Sequence, residues 1–99
     1  MSDELKAIVT EFGRGGVEVE LRLGESLLHV DAVQRLSAGR QRTQLIERML
    51  AKLPPSLCSA EVADRAALPD AEPGEAVMAY YGRRLEQQLV AQAAHISAA

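Results

Sequence analysis

The chain has 99 residues, a formal net charge of −3, and only Phe12, Tyr80 and Tyr81 as aromatic residues. That length gives one domain, or one domain with a tail, and a domain this small often needs a second chain to cover its apolar surface. The charge excludes a generally sticky polycation, the lone Cys58 excludes an internal disulfide, and no apolar run is long enough to span a bilayer.

The start, Met1-Ser2-Asp3-Glu4, is acidic where a secretory leader is basic, so the expectation is a cytoplasmic protein with no membrane partner. Residues 1–16 read as an N-terminal arm and hinge. Ser2 can cap a helix, and Leu5, Ile8, Val9 and Phe12 follow at helical spacing. A short strand over Ala7–Phe12, hairpinned onto the next segment, is the alternative. Gly13-Arg14-Gly15-Gly16 is a hinge and lacks the Lys-Ser/Thr tail of a phosphate loop.

Val17–Leu23 alternates without a fault. Val17, Val19, Leu21 and Leu23 face one way, and Glu18, Glu20 and Arg22 the other, which is a half-buried strand. A lone strand needs a neighbour. Three are available: the N-terminal segment, a strand at Leu27–Val30, or the same strand of a second chain. Ser26 to Ser37 is predicted as helix, and Ser37-Ala38-Gly39 as a turn. Arg40–Leu53 is the clearest helix, with Leu45, Ile46, Met49, Leu50 and Leu53 on one face, stopped by Pro54-Pro55. Residues 55–74 read as a linker with a short helix at Ala60–Leu68. Residues 75–96 read as a C-terminal amphipathic helix striped by Val77, Met78, Tyr81, Leu85 and Leu89.

Catalytic chemistry has little to stand on. His29 and His95 have no second ligand at a metal spacing. Cys58 has no basic setting to activate its thiol. No carboxylate lies in an apolar stretch that would raise its pKa. No enzyme activity, cofactor or metal is expected.

Residues 17–54 carry a more specific pattern. The alternating strand runs into Gly24-Glu25-Ser26-Leu27-Leu28. Then comes Gly39-Arg40-Gln41-Arg42-Thr43-Gln44-Leu45-Ile46. This order of strand, helix, turn and helix resembles the ribbon-helix-helix family of DNA-binding repressors. The resemblance implies a mainly α fold with one short β-strand per chain, built as an intertwined homodimer. Val17, Val19, Leu21, Leu23, Leu45, Ile46, Met49 and Leu50 would form the shared core. Glu18, Glu20 and Arg22 would face a DNA major groove. Arg40, Gln41, Arg42 and Thr43 would hold a phosphate at the start of the second helix. The alternative fold is a small α+β domain with an intrachain β-hairpin or meander and two to three helices.

Two functional readings follow. The first is a homodimeric transcriptional regulator, of antitoxin or plasmid-autorepressor type, that binds double-stranded DNA and offers Val77, Met78, Tyr81, Leu85 and Leu89 to a second protein. The second is a non-enzymatic protein–protein interaction module, an adaptor, inhibitor or chaperone. The acidic strand face supports the second, because Glu18 and Glu20 repel phosphate.

Overall fold

Val17–Leu23 is a strand, as its alternation requires, and both of its neighbours come from its own chain. A computed structural model describes residues 4–11, 16–36, 38–55, 57 and 76–95. Its elements in chain order are β1 (Leu5–Glu11), β2 (Val17–Leu23), β3 (Ser26–Val33), α1 (Gly39–Leu50) and α2 (Val77–Ala93). The strands form an antiparallel meander in the order β1-β2-β3, with both helices against one face. This is a small α+β domain. The mainly α, one-stranded ribbon-helix-helix homodimer is thereby corrected. The residues 55–74 read as a linker lie almost entirely outside the described residues, as do Cys58 and the hinge residues Gly13, Arg14 and Gly15.

The N-terminal segment is strand, and the helical reading of it is corrected. Ile8, Val9 and Thr10 are three β-branched residues in a row, stiff at χ1 and suited to a pleated surface. They outweigh the capping signal at Ser2. The register runs from Leu5 opposite Leu23 to Glu11 opposite Val17, which turns Leu5, Ala7 and Val9 inward.

Ser26–Val33 is also strand, against the helix expected from Ser26 to Ser37. Gly24 and Glu25 form a two-residue turn, with Gly24 at φ 59°, a left-handed conformation that glycine adopts at least cost. A β-bulge follows. Leu21 pairs with His29 but Arg22 pairs with Leu27, so Leu28 is an extra residue. The bulge breaks the alternation, and Leu27, Leu28, Val30 and Val33 then mimic helical spacing.

The core lies between the sheet and the two helices. Val17, Val19 and Leu21 from β2 meet Leu45, Ile46 and Met49 from α1, and Val77, Tyr80, Tyr81, Leu85 and Leu89 from α2. Leu23 and Leu50 pack half-buried at its margin. The residues assigned to a core shared between two chains are therefore buried within one. The C-terminal stripe likewise covers its own domain, except Met78, which is exposed. Leu36 and Leu53 are core residues too, lying just beyond the ends of β3 and α1.

Two glutamines tie α2 to the outer edge of β1. Gln88 Oε1 accepts the Ala7 N–H (2.8 Å) and Gln88 Nε2 donates to the Leu5 carbonyl (3.1 Å). Gln92 Oε1 accepts the Val9 N–H (2.9 Å) and its Nε2 donates to the Ala7 carbonyl (2.7 Å). Residues four apart on a helix are separated by about 6 Å, and alternate residues on a strand by about 6.7 Å. Each side-chain amide therefore meets the edge as a peptide group of a fourth strand would.

Removing the amides in a Gln88→Ala/Gln92→Ala variant leaves four edge groups without their partners. The expected loss of stability is about 1–3 kcal/mol per glutamine in urea denaturation, with faster hydrogen exchange at the Ala7 and Val9 amides. Gly82, in the middle of α2, works in the opposite direction. A Cβ there would meet Leu50 Cδ1 at 3.5 Å and Ile46 Cγ2 at 3.9 Å, ordinary contacts. Gly82→Ala is expected to raise stability by roughly 0.5–1 kcal/mol in the same assay.

Candidate functional site: the open face and edge of the sheet

With both helices on one face, no described element covers the other face of the meander. The pairing sets three rows across it: Lys6, Arg22 and Leu27; Ile8, Glu20 and Val30; Thr10, Glu18 and Ala32. The outer strands contribute apolar side chains that water reaches. Ile8 is 40% exposed, Leu27 49% and Val30 44%. Between them runs the charged column Glu18, Glu20 and Arg22 of β2. Arg22 Nε donates to Glu20 Oε1 at 2.9 Å, and Arg22 Nη1 lies 3.4 Å from the Glu25 carbonyl. That guanidinium is folded back on its own chain.

The two edges of the sheet differ. The β1 edge is occupied by Gln88 and Gln92. These bonds fall on odd-numbered β1 residues, so the even-numbered ones face β2. In an antiparallel ladder this fixes the direction of every later peptide. Val19 and Leu21 of β2 then face β3, where they pair with Asp31 and His29. The Leu28 carbonyl, both backbone groups of Val30 and the Ala32 N–H consequently point out of the sheet. The Ala32 N–H is taken by Asp31 Oδ1 at 2.9 Å.

Asp31 is the charged centre beside this edge. It sits on the helix-side face of β3, with its side chain only 19% exposed. Arg48 of α1 donates to its Oδ2, and His29 Nε2 lies 3.1 Å from the same oxygen. Burial disfavours the charged carboxylate. The hydrogen bonds from Arg48, His29 and the Ala32 amide, with the Arg48 charge, outweigh it and hold the Asp31 pKa below its ordinary 3.8. Between the end of β3 and α1, Ala32, Val33, Gln34, Gln41, Gln44 and Arg48 line an open groove.

The residues assigned to DNA fall into two separated groups. Glu18, Glu20 and Arg22 lie on the uncovered face, and Arg40, Gln41, Arg42 and Thr43 lie on α1 beyond the opposite face. Gln41 Oε1 accepts the Arg35 N–H at 2.9 Å. Arg42 donates from Nη1 to the Leu36 carbonyl at 3.2 Å, and its Nε lies 3.5 Å from Glu86 Oε2 of α2. Arg40 and Thr43 are exposed. His95 is exposed at the end of α2, far in sequence from the His29 cluster. Among the described residues no three His, Cys, Asp or Glu side chains gather as metal ligands, and no helix is long and apolar enough to cross a membrane. Sequence reasoning missed Ile8, Leu27 and Val30 as a surface, and Gln88 and Gln92 as edge ligands. The glutamine spacing of four beside the Leu85–Leu89 stripe was the available signal.

The Asp31 shift has a direction that stability measurements will register. Its folded pKa is lower than its unfolded one, so the unfolded chain takes up the proton first as pH falls. The stabilisation is complete above 3.8 and is lost as pH drops through the lower folded value. Asp31→Asn is therefore expected to be less stable than the parent at neutral pH, with the gap closing below pH 3.8 in urea denaturation series.

Comparison with known proteins finds no match for this chain among family models, curated proteins or solved structures.

Proposed function

We propose that this protein is a non-enzymatic protein–protein interaction module, an adaptor, inhibitor or chaperone, that docks its partner on the uncovered face of the meander. The observation that carries this reading is the exposure of Ile8, Leu27 and Val30 on one sheet face that neither helix covers. Exposed apolar side chains that share one face mark a protein-contact site more than ones scattered singly do, and here Leu27 and Val30 lie along β3 with Ile8 across the charged column on β1. The charged column sets the partner's chemistry. It presents apolar side chains to the flanking strands and a cation to Glu18, since Glu20 is already paired with Arg22.

The DNA-binding reading has weaker support. It relied on a two-stranded ribbon entering a major groove. Here Glu18, Glu20 and Arg22 sit on the central strand, with a neighbour on each side. The Arg22 fork faces Glu20 and Glu25, and the basic start of α1 lies across the sheet from it.

The test uses Ile8→Ser/Leu27→Ser, two exposed changes that leave the core intact. Proteins from the source cell retained by the immobilised parent are expected to be lost from this variant at unchanged circular dichroism. Retention of the same proteins by the variant overturns the proposal. So does a mobility shift with DNA at low salt that Arg22→Ala or Arg42→Ala abolishes.

A further inference from the structure

We infer that β3 pairs with β3 of a second copy of this chain, across a two-fold axis at Val30, to make a continuous six-stranded sheet. This concerns the edge of the sheet and stands whether or not the open face binds a partner.

The backbone of the β3 edge is built to pair with its own copy. Among the described residues no strand pairs with the outer edge of β3, and from Leu28 to Ala32 that edge presents carbonyl, N–H, carbonyl and N–H, in that order along the chain. That series is its own complement when reversed. Two copies set antiparallel place Val30 opposite Val30, where the two residues exchange both of their bonds. The Ala32 N–H of each then reaches the Leu28 carbonyl of the other. To do so it leaves Asp31 Oδ1, which it bonds within the single chain. The β1 edge cannot offer the same arrangement, because Gln88 and Gln92 already bond four of its outward groups, from the Leu5 carbonyl to the Val9 N–H.

Side-chain hydrogen bonding then selects the register. With Val30 on the axis, His29 of each copy lies opposite Asp31 of the other, in the pair type whose side chains approach most closely. The Asp31 oxygen released by Ala32 is available to that histidine. Sliding the pair by one step of the ladder in one direction sets Asp31 against Asp31. Sliding it in the other direction sets His29 against His29. Only the Val30-centred register sets an imidazole against a carboxylate, and it does so twice. On the uncovered face it also places the exposed Val30 side chains against each other, removing apolar surface from water. Edge strands resist pairing through lysine, proline, bulges or inward-pointing charges, and β3 carries the Leu28 bulge and the inward Asp31, which the pairing accommodates by setting Asp31 against His29. Here the side chains beside the free edge on that face are Val30 and Ala32.

Sedimentation equilibrium of the full chain is expected to give twice the 10.7 kDa of one copy. Val30→Pro deletes an N–H that points away from β2, so the intrachain ladder keeps its bonds while the pair loses two. Association should weaken about ten- to hundredfold at unchanged circular dichroism. Register is read by oxidation in a Cys58→Ser background. His29→Cys and Asp31→Cys chains are expected to form a disulfide dimer when mixed, and neither alone. A monomer at every concentration, a dimer indifferent to Val30→Pro, or self-linking of either cysteine variant overturns the inference. Because Ile8→Ser/Leu27→Ser leaves Val30 in place, failure of the open-face proposal and failure of the β3 pairing give separate results.

Discussion

Everything else in this domain is arranged around covering one side of β2. Val17, Val19 and Leu21 are 0–1% exposed, and they hold the centre of the only sheet among the described residues. A chain with three aromatic residues has few large side chains with which to do this. It uses two helices on the same face, with Leu45, Met49, Leu85 and Leu89 as the fully buried contacts. Both helices are therefore committed to one side, and among the described residues the other side of the sheet has no second layer.

That asymmetry defines where function can reside. The helix-side face is core. The open face combines apolar flanks with a charged centre, and one of the two edges is filled by side-chain amides from α2. The glutamine contacts matter beyond their energy, since they satisfy an edge that would otherwise attract a strand. The same logic leaves β3 as the edge with backbone groups to offer. Asp31 stands at its side, held by Arg48 and His29, with its ionised form favoured despite burial.

Several parts of this arrangement are legible in the residues. The strand Val17–Leu23, the amphipathic helix that became Gly39–Leu50 and the C-terminal stripe that became Val77–Ala93 follow from strict period-two and near-3.6 patterns. The N-terminal strand is legible as an alternative, and a strand at Leu27–Val30 as one of three possible neighbours for β2. The misreading of Ser26–Val33 as helix has a local cause. One extra residue at Leu28 shifts the apolar phase, and a bulge leaves no mark in composition. The ribbon-helix-helix resemblance depended on that segment being helical.

The sequence by itself determined which residues need to be buried, because hydrophobic period is a property of the chain's own geometry. Val17, Val19, Leu21, Leu45, Ile46, Met49, Val77, Tyr81, Leu85 and Leu89 all follow from it, and all are buried. Only the tertiary structure decided what buries them. Pairing across a strand is satisfied equally by the same chain or by another, so no local pattern distinguishes an intrachain meander from an intertwined dimer. The same holds for Ile8, Leu27 and Val30, which read as core candidates until the sheet turns them away from both helices. For Gln88 and Gln92 the deciding partner lies more than eighty positions away along the chain, and such a contact exists only once β1 and α2 have met.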